Sequence, residues 1–349
     1  MKIFFRDSTT FAPAVYLSLL AMLLLPAAAR GDSAAVTIAN RSGTARLVSN
    51  QTWHTGSGLP PGPFGDHWVR LRQNGKVTSY DSRIGPISVS EDHDCLVGSN
   101  VNPNDSQSGV HLDENSEVWG NIAVAAPEED GRVTNQNNSI ISGEIRYNQP
   151  KWDLLPLDMP GFHTEAGGGP YGEIIGEYGS KPGNYEVTNN GFRAYNNAEV
   201  TFGAGKYHFD TFELSNNVEF RVDPDIGPGE TVDIYVESSI IFENNSELLP
   251  PIAITGDTTK LRFYFNGTTK VDLSNNVEFF GVMYAPNAEI EVRNNDSVFG
   301  NLIGKQVYIW NNATVHFDKA LVDEDFSHIV TGGIPALPHE RVDWREDIQ

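Results

Sequence analysis

The heptad Leu-Ser-Asn-Asn-Val-Glu-Phe occurs at Leu214–Phe220 and again, unchanged, at Leu273–Phe279. An identical match of this length indicates an internal repeat. Asn-Asn doublets recur through the C-terminal half, and from Asn275 onward they step by roughly 20 residues, which is typical of a repeat architecture. The doublets that we assign to the repeat are Asn196-Asn197, Asn216-Asn217, Asn244-Asn245, Asn275-Asn276, Asn294-Asn295 and Asn311-Asn312.

Each repeat combines a strand pattern with a turn signal. Apolar and polar residues alternate after the doublet, as at Val218 and Phe220, which predicts a β-strand with one buried face. Asparagine tolerates the left-handed backbone region, so the doublets predict corners, where stacked side chains would form an Asn ladder. We therefore predict an all-β, single-stranded, pectin-lyase-like parallel β-helix with Asn-rich corners. The rule for parallel crossovers makes it right-handed.

The chain divides into six predicted segments. Residues 1–29 have a basic start, an apolar core and Ala27-Ala28-Ala29, as in a cleaved signal peptide, and a retained membrane anchor is the alternative. No later segment is long and apolar enough to span a membrane. The other segments are a β-rich cap at 30–84, irregular rungs at 85–148, a Pro- and Gly-rich linker or lateral loop at 149–183, the regular β-helix at 184–322 and a tail at 323–349. In the cap, Trp53, Phe64 and Trp68 would close one end of the apolar stack.

The net charge limits the classes of partner, and the cysteine content limits the covalent cross-links. The chain carries 46 acidic and 24 basic residues, a net charge of −22. This argues against nucleic acid or anionic lipid as a partner, because both require a basic surface. The single cysteine, Cys95, excludes an internal disulfide, and we expect a buried, inert thiol.

Five motifs of the C-terminal half resemble a bacterial family of secreted β-helix domains of unknown function, DUF7305. They are Gly205-Lys-Tyr-His-Phe, Val232-Asp-Ile-Tyr-Val, Gly281-Val-Met-Tyr-Ala-Pro-Asn-Ala, Gly300-Asn-Leu-Ile-Gly-Lys-Gln-Val and Asn312-Ala-Thr-Val-His-Phe-Asp-Lys-Ala-Leu. Some members of that family look pilus-associated, and Arg341-Val-Asp-Trp-Arg-Glu resembles their ends. The chain departs from those members because it has no pilin cleavage motif. The resemblance implies no catalytic residues.

An enzymatic β-helix would need clustered carboxylates and a base on one face of adjacent rungs. The outward-pointing candidates are Glu219 with Arg221, Glu278, and Glu289 and Glu291 with Arg293. Glu219 and Glu278 hold the same repeat position, which predicts a shared face. A strand with one solvated face also places charges outward at every second position, so we predict no catalytic site.

Calcium and sugar rings are the ligands that the residue types allow. Asp223, Asp225 and Glu230, and separately Asp92 and Asp94, supply hard oxygen ligands but lack the Asp-x-Asp-x-Asp-Gly spacing of a calcium loop. We therefore predict no cofactor and keep these residues as candidates for Ca²⁺. The aromatic residues Tyr284, Tyr308 and Trp310 are candidates for stacking on sugars, and core packing is the alternative.

Together these observations predict an exported, non-enzymatic protein with a structural or adhesive role at the cell surface, outside the cell or in the periplasm, with pilus association as one form of that role. The predicted partner is a surface polymer, a glycan or a protein filament, bound at many points along a rigid rod. A carbohydrate-binding or polysaccharide-cleaving β-helix is the alternative.

Overall fold

A computed structural model describes residues 59–160, 191–251 and 256–332, with four further strands at 34–37, 46–49, 174–176 and 185–188. The predicted signal peptide and most of the predicted tail lie outside these residues. The chain divides into two compact units, one of residues 1–54 and 336–349 and the other of residues 55–335. No helix in the described ranges has the length and apolar character needed to cross a membrane.

Strands account for almost all the regular structure, so the all-β prediction is confirmed. The first unit contains the antiparallel pair β1 (Ala34–Thr37) and β2 (Arg46–Ser49). The N-terminal part of the second unit contains β3 (Phe64–Arg72), β4 (Lys76–Tyr80), β5 (Cys95–Ser99), β6 (Gly109–Leu112), β7 (Glu117–Val118), β8 (Gly120–Val124), β9 (Val133–Asn135), β10 (Ile140–Ile141) and β11 (Ile145–Arg146). A single helical turn, α1 (Ile87–Ser90), and a 3-10 turn, Glu128–Asp130, lie in the loops between them.

The rest of the second unit contains β12 (Trp152–Leu154), β13 (Ile174–Gly176), β14 (Tyr185–Thr188), β15 (Gly191–Ala194), β16 (Glu199–Phe202), β17 (Gly205–Leu214), β18 (Glu219–Val222), β19 (Val232–Phe242), β20 (Glu247–Leu249), β21 (Leu261–Phe265), β22 (Val271–Ser274), β23 (Glu278–Arg293), β24 (Ser297–Trp310), β25 (Thr314–Asp318) and β26 (Val330–Gly332). A 3-10 turn at Lys319–Asp323 follows β25.

Successive coils of the chain place strands on three faces in turn, and neighbouring coils pair in parallel. Face A contains the first halves of β17 and β19, then β21, the middles of β23 and β24, the start of β3, and β5, β8 and β11. Face B contains β15, the second halves of β17 and β19, β22, the ends of β23, β24 and β3, and β6 and β9. Face C contains β16, β18, β20, the starts of β23 and β24, and β25, β4, β7 and β10.

The coils do not stack in the order of the sequence. Residues 191–318 stack in chain order, and the N-terminal coils then continue the stack, because β24 pairs with β3 and β25 pairs with β4. The structure differs from the predicted cap over residues 64–80, which form a rung inside the stack, with Phe64 and Trp68, instead of closing its end. Trp53, the third residue of the predicted closure, lies outside the described residues. Each rung of a solenoid contacts only its neighbours, so packing does not require sequence order.

The core is the column of side chains that point inward from the three faces. Phe212 belongs to this column, 4.8 Å from Phe192 and 5.1 Å from Phe263 between ring centroids. All three side chains are buried. Burial of aromatic rings on successive coils, together with the aliphatic side chains of the same column, stabilises the stack.

A two-stranded strap covers part of face A. It consists of β12 and β26, which pair antiparallel, and their neighbours Leu155 and Ile329. The Tyr284 hydroxyl lies 2.7 Å from the Leu155 carbonyl and 2.8 Å from the Ile329 carbonyl. Asn100 receives a bond from the Trp152 N–H at 2.8 Å and donates one to the Trp152 carbonyl at 2.6 Å. The strap begins the return of the chain from one end of the stack to the other.

Candidate functional site

The Asn doublets form the corner between face B and face C. The second residue of each doublet has a φ between 56° and 67°, in the left-handed region that Asn tolerates: Asn197, Asn217, Asn245, Asn276, Asn295 and Asn312. Its backbone N–H donates to the carbonyl of the first Asn in the next coil, for example from Asn217 to Asn244 at 3.0 Å. The turn geometry therefore aligns the doublets in one row along the stack.

The side-chain amides of the doublets bond from coil to coil. Among the first residues, Nδ2 donates to Oδ1 from Asn216 to Asn196 (3.4 Å), from Asn244 to Asn216 (2.7 Å), from Asn294 to Asn275 (2.9 Å) and from Asn311 to Asn294. Among the second residues, the same bond joins Asn217 to Asn197 (3.4 Å), Asn245 to Asn217 (3.0 Å), Asn276 to Asn245 (3.1 Å) and Asn312 to Asn295 (3.2 Å).

Three further coils continue this row, which we call the Asn corner. Gln73-Asn74, Glu114-Asn115 and Asn137-Asn138 all have positive φ. The Asn74 amide donates to Asn312 at 2.8 Å, so the row crosses the point where the N-terminal coils join the C-terminal ones. The rungs predicted over residues 85–148 include the last two of these coils, but the repeat Asn residues assigned from the sequence include none of the three doublets, although Gln73-Asn-Gly-Lys-Val has the same doublet-then-apolar pattern as the others.

The residue after each doublet points inward, and one coil places an acid there. Ser246 is buried and donates from Oγ to the carbonyls of Glu243 (2.8 Å) and Ser215 (3.0 Å). Asp296 takes the equivalent position and accepts from the backbone N–H of Val277 at 2.8 Å and of Arg293 at 3.1 Å. Burial raises the pKa of Asp296 to about 7 despite these two bonds.

Face C carries a column of glutamates beside the Asn corner. Glu199, Glu219, Glu247 and Glu278 are successive register partners, so the structure brings Glu219 and Glu278 onto one face, with Glu247 between them. Glu219 pairs with Arg221 on its own strand. Burial, and then the charge of Glu247, raise the pKa of Glu278. No three acidic, His or Cys side chains converge as metal ligands in the part of the chain that the structure describes.

Face B brings together the other acidic candidates. Glu291 is buried, accepts from Trp310 Nε1 at 2.8 Å and pairs with Lys270. The Arg293 guanidinium binds Asp272 through two bonds of 3.1 and 2.7 Å and lies 3.9 Å from Glu291. These groups are held in an ion-pair network along the sheet. Neighbouring Glu289 has a raised pKa, because it is partly buried and lies near Glu291.

The three aromatic candidates fall in two places. Tyr308 and Trp310 lie half-buried on face B with nearly parallel rings, 10° apart and 5.5 Å between centroids. Trp68 packs edge-on against Tyr308 at 6.0 Å, and the Arg70 guanidinium lies 4.5 Å from the Trp68 ring. Tyr284 is fully buried beneath the strap, so for this residue the structure shows packing, the alternative to sugar stacking.

The calcium candidates occupy one acidic loop. Asp223 accepts from the N–H of Asp225 at 2.9 Å, and Glu230 accepts from Gly227 at 2.8 Å. The Lys260 ammonium donates to the carbonyls of Gly227 and Glu230 at 3.1 and 3.2 Å. Two of the three carboxylates thus stabilise turns, and a cation already lies against this loop.

The second acidic pair is bridged by a lysine. The Lys319 ammonium binds Asp92 and lies 3.1 Å from Asp94. These carboxylates therefore compensate a protein cation at the base of the loop between β4 and β5.

The family model for a domain of unknown function (DUF7305) matches residues 210–324, which confirms the resemblance over that part of the chain. Three solved structures are similar over most of the chain at low identity. An ice-binding protein (LeIBP) from an Arctic yeast shares 10% identity, covers 77% of this chain and 96% of its own and has a TM-score of 0.35. The DUF3494 domain of an ice-binding protein of Shewanella frigidimarina shares 11%, covers 77% and 98% and has a TM-score of 0.34. The competence-associated pilin ComZ of Thermus thermophilus shares 10%, covers 96% and 97% and has a TM-score of 0.38.

No curated protein sequence matches the chain. Similarity at these TM-scores identifies neither a ligand nor an activity for it.

Proposed function

We propose that the chain is an exported, non-enzymatic protein with a structural or adhesive role at the cell surface, acting through the Asn corner of a right-handed, pectin-lyase-like parallel β-helix. The observation that carries this proposal is the Asn corner itself, in which bonded amides repeat along one edge of the stack. The net charge of −22 favours a polymer or protein partner over nucleic acid.

The Asn corner suits a repetitive partner because of its spacing and its unused bonding capacity. Neighbouring parallel strands lie about 4.8 Å apart, so equivalent amides repeat at about that interval. Each amide has two N–H donors and an oxygen with two lone pairs, and a bond to each neighbour uses only one donor and one lone pair. The remaining capacity faces solvent at exposed residues such as Asn217, Asn245 and Asn276. Weak contacts on successive coils would add up to stable binding.

The state of the acidic residues supports a role without catalysis and without a cofactor. Glu219 and Glu291 each have a basic partner on the surface of the stack, and Glu278 faces another glutamate. The ion pairs of Glu219 and Glu291 compensate the charge of these two carboxylates. General acid–base chemistry also requires that two such groups face one substrate position, and Glu219 and Glu291 are each already bound to a basic side chain of the protein.

The first experiment is fractionation of the native organism into medium, envelope and sheared surface filaments, with detection by an antibody against residues 184–322. The proposal predicts protein in the envelope or filament fraction. Protein found only in the medium as a soluble species would refute a surface role.

A second experiment tests the Asn corner directly. The triple variant Asn217→Gly, Asn245→Gly, Asn276→Gly removes three exposed amides, while glycine keeps the left-handed backbone. We expect this variant to fold but to be retained on washed envelopes at least about tenfold less than the wild type. Retention equal to the wild type would show that the Asn corner does not bind.

The alternative is a carbohydrate-binding face, and the observation that favours it is the half-buried Tyr308–Trp310 pair beside Glu291 and Arg293 on face B. Aromatic rings flanked by planar polar groups are suited to contact sugars. The matched variant Tyr308→Ala, Trp310→Ala separates the two proposals. Loss of retention in this variant, with normal retention of the glycine variant, would favour the carbohydrate-binding face.

A further inference from the structure

Face B carries an arginine whose charge is not compensated by a carboxylate. Three of the basic side chains along this face have an acidic partner: Arg72 with Glu114 at 2.9 Å, Arg293 with Asp272 at 2.7 Å, and Lys270 with Asp272 at 3.2 Å. Within the residues that the structure describes, Arg70 forms no such ion pair, and its partners are Gln107 and the Trp68 ring. A positive charge thus remains uncompensated on a chain whose net charge is −22.

The contacts of Arg70 fix its guanidinium without neutralising it. Nη2 donates to Gln107 Oε1 at 2.9 Å and to the Gln107 carbonyl at 3.3 Å, and the guanidinium lies 4.5 Å from the centroid of the Trp68 ring. Neither Nε nor Nη1 donates to another of the described residues, and the side chain is only half-buried. These N–H groups can donate to an anion, and such charge-assisted bonds are about twice as strong as bonds between neutral groups.

An aromatic platform lies directly beside this arginine. Arg70 is the register partner of Tyr308, so the two side chains leave adjacent strands about 4.8 Å apart. The Tyr308 ring lies nearly parallel to the Trp310 ring, at an angle of 10°, and Trp68 packs edge-on against Tyr308 with 6.0 Å between centroids. The guanidinium and the half-buried rings of Tyr308 and Trp310 therefore border one stretch of face B.

Two acids on the neighbouring strand β23 do not pair with Arg70. Glu291 is buried and binds Lys270 and the Trp310 indole. Glu289 is half-buried, and burial and then the charge of Glu291 raise its pKa. In the described part of the chain neither of them forms an ion pair with Arg70, so the charge of Arg70 is available to a ligand.

We propose that the ligand of this face is a glycan with an anionic sugar, whose ring packs on Tyr308 and Trp310 while its acid group accepts from Arg70. This inference rests on the carbohydrate-binding face, the alternative under the proposed function. An acid group carried directly on the ring, as a carboxylate or a sulfate ester, can reach a guanidinium that lies one strand away. Aromatic side chains combined with a few placed polar groups give small-molecule sites their specificity.

The net charge of the chain limits how many acid groups that glycan can carry. At about 0.15 M salt the Debye length is about 8 Å, so an acid group in contact with Arg70 interacts mainly with this arginine and its neighbours. A polymer with an acid group on every sugar would also place anions along the rest of an acidic surface, which repels them. The expected ligand is therefore a largely neutral glycan with isolated anionic sugars. Nucleic acid differs, because it needs an extended basic surface.

The test is isothermal titration calorimetry of the purified full chain with three matched probes at about 0.15 M salt. The probes are a short neutral oligosaccharide that ends in glucuronic acid, the methyl ester of that acid, and the same oligosaccharide with a terminal sulfate ester. We expect the wild type to bind at least one anionic probe at least about tenfold more tightly than the uncharged methyl ester. The tighter of the two anionic probes identifies the acid group.

Arg70→Gln removes the charge and keeps a planar amide. The matched control is Arg193→Gln, because Arg193 also lies on face B against an aromatic ring, 5.2 Å from the Tyr195 centroid, but is already paired with Glu213 at 2.8 Å. We expect Arg70→Gln to bind the anionic probes and the methyl ester with equal affinity, and Arg193→Gln to keep the preference of the wild type. Arg70→Lys should also keep a preference, because it restores the charge, and this separates loss of charge from loss of fold.

Equal affinity of the wild type for the anionic probes and the methyl ester overturns the inference but leaves the carbohydrate-binding face intact. A preference that survives in Arg70→Gln overturns it as well, because the anion is then bound elsewhere. If no probe binds, the carbohydrate-binding face fails together with the inference. Retention by the Asn corner is measured separately, with the glycine variant.

Discussion

The buried acid of the Asn corner makes the stability of the fold depend on pH. Asp296 is 1% exposed, and burial raises its pKa from 3.8 to about 7. In the pH range between these values the folded chain holds a proton that the unfolded chain releases, so stability falls as pH rises through this range. One pKa unit corresponds to about 1.4 kcal/mol, so ionised Asp296 destabilises the fold by at most about 4 kcal/mol above pH 7.

The perturbation is Asp296→Ser, which introduces the residue that the chain uses at the equivalent Ser246. Loss of the two bonds from Val277 and Arg293 lowers the unfolding free energy of the variant by about 1 kcal/mol for each bond, and this difference does not vary with pH. The variant also lacks the Asp296 carboxyl, so it has no titrating group at this position. Relative to the variant, the wild type should therefore lose up to about 4 kcal/mol of unfolding free energy between pH 4 and pH 8.

Urea unfolding at closely spaced pH values measures this difference, provided that the wild type and the variant share the same m-value. The subtraction removes the contributions of other titrating groups, such as Asp318 and Glu278, whose pKa values are also raised by burial. The variant Ser246→Ala is the control, because it changes an equivalent corner without a titrating group. A wild-type-minus-variant difference that stays flat, or that rises with pH, would refute the reasoning.

Three further predictions follow from the packing. Gly300 has a φ of 126°, and a Cβ there would lie 1.9 Å from a backbone oxygen, so Gly300→Ala should lower the unfolding free energy by more than about 3 kcal/mol. Gly229→Ala is the control, because a Cβ there meets open space, and it should lower the unfolding free energy by about 1 kcal/mol. Urea unfolding midpoints of the two variants measure the difference. Tyr284→Phe removes the hydroxyl that holds the strap and should lower amide-exchange protection at 329–332 by about tenfold without affecting the stack. Burial raises the pKa of the Cys95 thiol to about 12, so a thiol reagent at pH 8 should react only after unfolding; rapid labelling of the native chain would contradict this.

The repeat itself was predictable because its signals are local. A doublet of Asn and two alternating apolar residues specify a left-handed corner and a strand with a buried face, whatever lies on the neighbouring coils. Positive φ at Asn217 and Asn276, and full burial of Phe220 and Phe279, show both signals acting in the two copies of the heptad.

The environment of single side chains was less predictable, because period-two alternation predicts to which face of a strand a side chain points but not what covers that side chain. Tyr284 and Tyr308 both point away from the core column. Tyr284 is buried because residues from two distant segments, Leu155 and Ile329, form the strap above it, whereas Tyr308 stays partly exposed. Asp296 is an inward-facing example. The alternation predicts that its charged side chain points inward, but it does not predict that the backbone N–H groups of Val277 and Arg293 donate to it.

The order of the stack follows from contacts that local patterns do not encode. Every coil presents the same alternation on its upper and lower edges, so many orders satisfy the hydrophobic pattern equally well, and Phe64 pairs in parallel with Ile303 just as strands of consecutive coils pair with each other. Sequence separation disfavours this joint only through loop-closure entropy, which grows slowly with length. Side-chain chemistry compensates, because Val77 lies on Val315 and the Asn74 amide bonds to Asn312, so the core and the Asn corner both continue across the joint. The row of amides therefore continues across the break in chain order, so a partner that binds the Asn corner, as we propose, would meet one surface built from two separate parts of the sequence.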